Sequence, residues 1–323
     1  MITNKDLQEI QGMTEWLKAV PYDVTRRSLY DAEQLYQGYE PSADEETDKA
    51  SYANCYDHQV YQHYLTWGKH DNVKESLAQT LHDHSIHTAL KAFLAEHDTK
   101  RCVGIMGGHA LPRSAPMFTN IVMLSKRLTE EGFCMLSGGG PGAMEATHLG
   151  AWLAGRTLEE AREAIDYLAS AAESFNDREW LSSAFNVMRR YPQNKYVSLG
   201  LPTWLYGHEP STPFATHIAK YFENSIREDT ILTMAYGGII YTPGSAGTMQ
   251  EVFQDAVQNH YLSFGFSSPM VFWGKEFWTE EIPVYPLLRQ LMSTGKYKNL
   301  LLTLTDDTHQ IEKVLREFQE NKS

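Results

Sequence analysis

"FCMLSGGGPGAME", Phe133 to Glu145, starts as an apolar run of strand length and ends as the opening of a helix. Between the two lie four glycines in five residues, 138 to 142. Glycine lacks a Cβ, so the chain can turn sharply there and bring its backbone close to a ligand. The helix that follows presents free N–H groups and the positive end of its dipole, a setting that suits phosphate. The residues leave two readings, a tight turn or a phosphate cradle formed by Gly138, Gly139, Gly140 and Gly142. The density of glycine exceeds what a turn needs and favours the cradle. The spacing is not the dinucleotide fingerprint G-x-G-x-x-G.

The same strand–turn–helix unit recurs on either side. "CVGIMGG" (102–108) is an apolar run ending in Gly107 and Gly108, followed by a helix through Ile121, Leu124 and Leu128. "KYVSLGLP", "IIYTPG", "PMVFWG" and "NLLLTLT" read as further strands. "PFATHIAKYFENSIREDTILTMAYGG" reads as one helix, and 157–190 as a helical insertion. Strands alternating with helices predict an α/β fold, a Rossmann-like doubly wound parallel sheet. Ligands in such sheets bind beyond the C-terminal ends of the strands. Three glycine-bearing turns fall at those ends.

Residues 1–99 are polar, tyrosine-rich and short of strand signals, which predicts a helical N-terminal extension to a nucleotide-binding domain at 100–323. "PSADEETDKAS" (41–51) reads as a solvated loop and 75–97 as a helix.

The second turn of interest is "YTPGSAGTMQE", 241–251. Gly244, Ser245, Gly247 and Thr248 fall where a second phosphate loop would lie. Glu251 follows Thr248 by three residues, so it lies ~4.5 Å further along the same helix face. Met249, Val252, Phe253, Ala256 and Val257 are expected on the core side, leaving Glu251 for the cleft. Pattern alone also allows an ordinary first-turn Glu that complements the helix dipole. Together the two turns imply a nucleoside monophosphate or sugar phosphate, with a carboxylate near C1 of the sugar.

Those two turns, with an Arg on the helix upstream, resemble the Lonely Guy family, once described as lysine decarboxylases. The resemblance covers about 100–320 and implies a Rossmann-like fold. It further implies a homodimer and a phosphoribohydrolase that splits N6-substituted adenosine monophosphates into base and ribose 5-phosphate. Pro243, Gly244, Gly247, Thr248 and Glu251 match the family's P-G-G-x-G-T-x-x-E turn, with Ser245 in place of a glycine. Arg227 in "NSIRED" matches its catalytic Arg, and Glu228 stands where the family has lysine. The implied catalytic pair is therefore Glu251 and Arg227. The carboxylate would stabilise an oxocarbenium-like state and activate water. The Arg would hold phosphate or ease departure of the base. The alternative is a carrier that binds a nucleotide or cofactor without hydrolysis. A third reading is a nucleotide-sensing regulator that uses the N-terminal helices.

Other features carry less. Glu145 could contact a ribose hydroxyl or merely open its helix. Asn224, Arg113 and His109 are weaker candidates to line the cleft. His82 and His87 in "HDHSIH" lie on different helix faces, which argues against zinc. No metal or bound cofactor is called for. A net charge of −13 argues against broad nucleic-acid binding. Three cysteines without a C-x-x-C fit packing in a reducing compartment. The first twenty residues lack the apolar core of a signal peptide, and no apolar run is long enough to span a membrane, so the expected location is the cytoplasm.

Overall fold

Cys102–Met106 (β1), Cys134–Ser137 (β2), Ser198–Gly200 (β3), His217–Ile218 (β4), Gly238–Tyr241 (β5), Pro269–Trp273 (β6) and Leu301–Thr305 (β7) form one all-parallel sheet in the computed structural model. The structure describes residues 12–42, 44–68 and 72–320, and the start of the N-terminal stretch read for a signal peptide lies outside them. Every residue of β1, β2, β3, β5 and β6 is buried, as expected where helices cover both faces of a parallel sheet. Ile239 and Tyr241 belong to one core cluster and Ile240 to the other, so alternate residues of a strand serve opposite faces. The outer strand β7 is partly open to solvent.

Five α-helices among the described residues precede β1: α1 (Met13–Ala19), α2 (Ala32–Leu35), α3 (Glu45–Ala53), α4 (Tyr56–Trp67) and α5 (Val73–Ala95). The rest are α6 (Pro116–Glu130), α7 (Ala143–Trp152), α8 (Leu158–Ala171), α9 (Glu179–Arg190), α10 (Asn224–Met234), α11 (Ala246–Tyr261), α12 (Val284–Ser293) and α13 (Thr308–Glu320). Among the described residues no helix is long and apolar enough to cross a membrane.

Strand order is β4-β3-β2-β1-β5-β6-β7. The chain moves outward from β1 to β4, then returns to place β5 on the other side of β1. That reversal is the switch point, and the C-terminal ends of β1 and β5 flank the crevice it creates.

Two local expectations fail. The stretch 41–51 is not a loop throughout, because Asp44 caps α3 by accepting a hydrogen bond from the Thr47 N–H at 2.9 Å. Nor is 213–223 helical; it is extended and contains β4. Its backbone donors are committed to distant partners. Ile218 N–H donates to the Tyr30 carbonyl, Ala219 N–H to Gly200, and Tyr221 N–H to Pro202. The N–H groups of Phe222 and Glu223 both donate to the buried Asp83 carboxylate, at 3.0 and 2.8 Å. Groups spent this way cannot close helical turns.

The N-terminal helices share a buried cluster with the sheet: Leu35, Val60, Ile86 and Leu90 belong with Leu199, Leu201 and Ile218. A buried ion pair joins the same parts. The Lys220 Nζ lies 2.7 Å from Asp57 Oδ1 and also donates to Ser211 Oγ at 3.0 Å. The Trp204 indole N–H donates to the same carboxylate at 2.9 Å.

Candidate functional site

The crevice is built from three backbone turns locked together. Gly108 N–H donates to the Pro243 carbonyl at 3.1 Å, and Ala143 N–H donates to the Gly108 carbonyl at 3.1 Å. The turn after β1 is therefore clamped between the turns after β2 and β5. Glycine is required where they meet. At Gly107 a Cβ would fall 2.0 Å from Thr242 Oγ1. At Gly142 φ is +66°, and a Cβ would fall 2.5 Å from the Gly108 carbonyl oxygen. Gly142→Ala should therefore displace the 107–109 segment. We expect stability to fall by about 1–3 kcal/mol, read by thermal melting. Wild-type stability in this variant would contradict the geometry.

Gly138 and Arg227 come together here. A Cβ on Gly138 would lie 3.6 Å from Arg227 Nη1. Arg227 is only 9% exposed, and its Nη2 donates to Asn224 Oδ1 at 2.8 Å. Its buried Nε has no hydrogen-bond partner. Gly139 and Gly140 continue the same turn, whose Gly139 carbonyl accepts from Thr212 N–H at 2.8 Å. Glu209 approaches the turn from the segment before β4, and its carboxylate lies 3.6 Å from the half-exposed His109.

On the opposite wall, α11 begins without any side-chain cap at Ser245. Thr248 is buried, with its Oγ1 tucked beneath Gly244, where a Cβ would lie 2.2 Å from it. Gly247 is exposed and faces open space. Glu251 is half-buried. That burial pushes it up to about 7, against the pull of the Arg227 guanidinium and with the help of the Glu228 carboxylate. Glu251, Arg227 and Glu228 thus act on one another across the crevice.

The structure places Glu145 elsewhere. It is 1% exposed, with the Arg113 Nε 3.1 Å from one oxygen and the Trp180 indole N–H donating to the other at 3.0 Å. Its observed role is to fasten α7 to Arg113 and to α9. Asn224 is half-buried and bonded to Arg227 and to Glu228. Among the described residues no group of three or more His, Cys, Asp or Glu is placed to hold a metal ion. His82 is fully buried, with Nδ1 against Asp83 and Nε2 against the Tyr30 hydroxyl.

The expected core face of α11 needs one correction. Val252 and Ala256 are buried, but Val257 is 41% exposed. Its place is taken by Asp255, only 3% exposed, which accepts from the Tyr241 hydroxyl at 2.8 Å and Asn259 Nδ2 at 3.0 Å. Burial pushes this carboxyl up to about 7, with the Tyr241 hydrogen bond opposing. Sequence reading missed Asp255, although its spacing of four from Glu251 puts both on neighbouring turns of one face.

Both carboxyls are raised on folding, which fixes the sign of a pH effect. Their favourable contribution is complete below about pH 4 and is lost as pH rises through about 7. These two carboxyls pull the urea midpoint down between pH 5 and pH 8, while imidazoles that burial holds low, His148 above all at about 3, push it up as pH approaches their ordinary 6.5. Asp255→Asn removes one carboxyl and leaves the imidazoles, so between pH 5 and pH 8 it should gain about 2–4 kcal/mol relative to the wild type. An unchanged pH dependence would remove Asp255 from the account.

The all-parallel sheet and its switch-point crevice define a Rossmann-like α/β protein. No family model matches the chain, and no curated protein matches it. Among solved structures it is similar to the molybdenum cofactor binding protein from the phototrophic bacterium Rippkaea orientalis, with a TM-score of 0.41 and 14% identity, over 68% of this chain and 96% of that one. It is also similar to the Chlamydomonas rheinhardtii Moco carrier protein, with a TM-score of 0.40 and 15% identity, over 68% of this chain and 97% of that one.

Proposed function

We propose that the crevice binds the phosphate end of a nucleoside 5′-monophosphate and that Glu251 and Arg227 hydrolyse its N-glycosidic bond. One observation carries this reading. A nine-tenths-buried guanidinium with an unpartnered Nε stands beside the Gly138 turn and within the field of the half-buried Glu251 carboxyl. A buried donor of this kind costs stability unless a ligand completes it. Backbone N–H groups of the turns and of the uncapped start of α11 supply the remaining phosphate contacts.

Glu251 suits the base's part. A general base works best with a pKa near the operating pH, and this carboxyl sits at about 7. It would take a proton from water as the water attacks C1, while the C1–N bond breaks and its electron pair leaves with the base. Arg227 would anchor the phosphate and keep the sugar in register.

A second reading has its own support. Glu228 puts a carboxylate 3.9 Å from Arg227, where the resembled family has lysine, and this weakens the site's positive field. The chain would then hold a phosphorylated nucleotide or cofactor without turnover. The solved structures above are described as a cofactor-binding protein and a cofactor carrier, but at TM-scores of 0.41 and 0.40 that likeness favours neither reading. Incubation with AMP, GMP and N6-isopentenyl-AMP, assayed for free base, decides between them. Release of base supports hydrolysis; tight binding with none released leaves the carrier.

A further inference from the structure

The departure at position 228 does structural work of its own. Glu228 Oε1 accepts from Asn224 Nδ2 at 2.7 Å, and its Oε2 accepts from Gln250 Nε2. Asn224 turns its other end, Oδ1, toward Arg227 Nη2 at 2.8 Å. The result is a continuous chain from Arg227 through Asn224 and Glu228 to Gln250, the residue next to Glu251. It joins the N-terminal parts of α10 and α11, the helices that carry Arg227 and Glu251. Asp229 and Gln254 add a second tie one turn further on, at 3.2 Å.

The polarity of this chain is set by Glu228. An amide has one accepting and one donating end. A carboxylate at 228 takes the donating end of Asn224 and leaves its oxygen for the guanidinium. A lysine there, being donor-only, would compete for that oxygen and could accept nothing from the Gln250 amide. We propose that Glu228 is a positioning residue, fixing Arg227 through Asn224 and tying its helix, through Gln250, to the turn that carries Glu251. This rests on reading the crevice as the ligand site.

The ionisable groups around Glu251 are Arg227 and Glu228 on α10, Tyr241 on β5, and Asp255 on its own helix. Asp255 is occupied by Tyr241 and Asn259. Glu228 is thus the carboxylate whose removal should be felt most at Glu251, and the direction is downward because a like charge is lost.

The experiment uses the full chain with Glu228→Lys and Glu228→Gln. AMP binding is measured by calorimetry, and the Glu251 carboxyl is titrated by carbon-13 NMR without ligand. Glu228→Lys should bind AMP at least about tenfold more weakly than wild type, despite its added positive charge. Glu228→Gln should lower the Glu251 midpoint. A role limited to charge predicts the opposite sign for the lysine variant, so equal or tighter AMP binding by Glu228→Lys overturns the proposal. An unmoved Glu251 midpoint in Glu228→Gln also overturns it. If the wild type binds no AMP, the proposed ligand class fails, and the ligand-free titration still decides the role of Glu228.

Discussion

Glu251→Gln is expected to slow release of base from nucleoside monophosphates by about 10²–10⁴-fold, the usual contribution of a general base. Glutamine has nearly the same shape and cannot take a proton, so AMP affinity should change little. The wild-type rate should rise with pH through about 7, because the base must be ionised and burial holds its carboxyl at that value. Arg227 and Glu228 pull that value in opposite directions, so the profile also reports on them. The pH profile of kcat/KM and the affinity of the variant are the two measurements. A variant that turns over AMP at the wild-type rate would end the catalytic reading, and the crevice would then be a binding site alone.

The largest effect on stability is expected at the Asp57–Lys220 pair. Lys220 is fully buried and lies against Asp57, Ser211 and the Trp204 ring. Asp57→Ala would leave an ammonium in the interior without its counter-charge and would also strand the Trp204 indole N–H. Removing one member of a buried pair costs about 3–5 kcal/mol. The loss should show as a lower urea midpoint. If it stays below about 1 kcal/mol, water must reach Lys220. Because the pair joins α4 to the segment between β4 and α10, its loss should also loosen the start of the helix that bears Arg227.

Much of the fold was legible because its signals are local. Apolar runs ending in glycine marked β1, β2, β5 and β6, and each proved buried on both faces. The crevice was legible for the same reason: glycines 107, 142 and 244 mark close approaches that a side chain would block. The misses share a cause in long-range contacts. Strand β4 was hidden in an apparently helical stretch, because its donors bond to Tyr30, Gly200 and Asp83, up to 188 residues away by sequence number. Glu145 stayed open between a ribose contact and a helix-opening role because Arg113 and Trp180 are brought to it only by folding. Asp255 went unread, since its partner Tyr241 lies on β5. Position 228 was visible as a departure, but its role depends on Gln250 on another helix.

The strand order has a consequence for assembly. β1 and β5 are hydrogen-bonded neighbours, yet β2, β3 and β4 and the helices among them come between them in the chain. During synthesis the first half-sheet, β1 to β4, emerges complete while β1 waits with an open edge. Closing that edge is a long loop closure, the slow kind of step in folding. The crevice exists only after it, since Gly108 must meet Pro243. A ligand site in the crevice would therefore require the two half-sheets to be joined, and its recovery after denaturation would report that joining rather than the formation of either half alone.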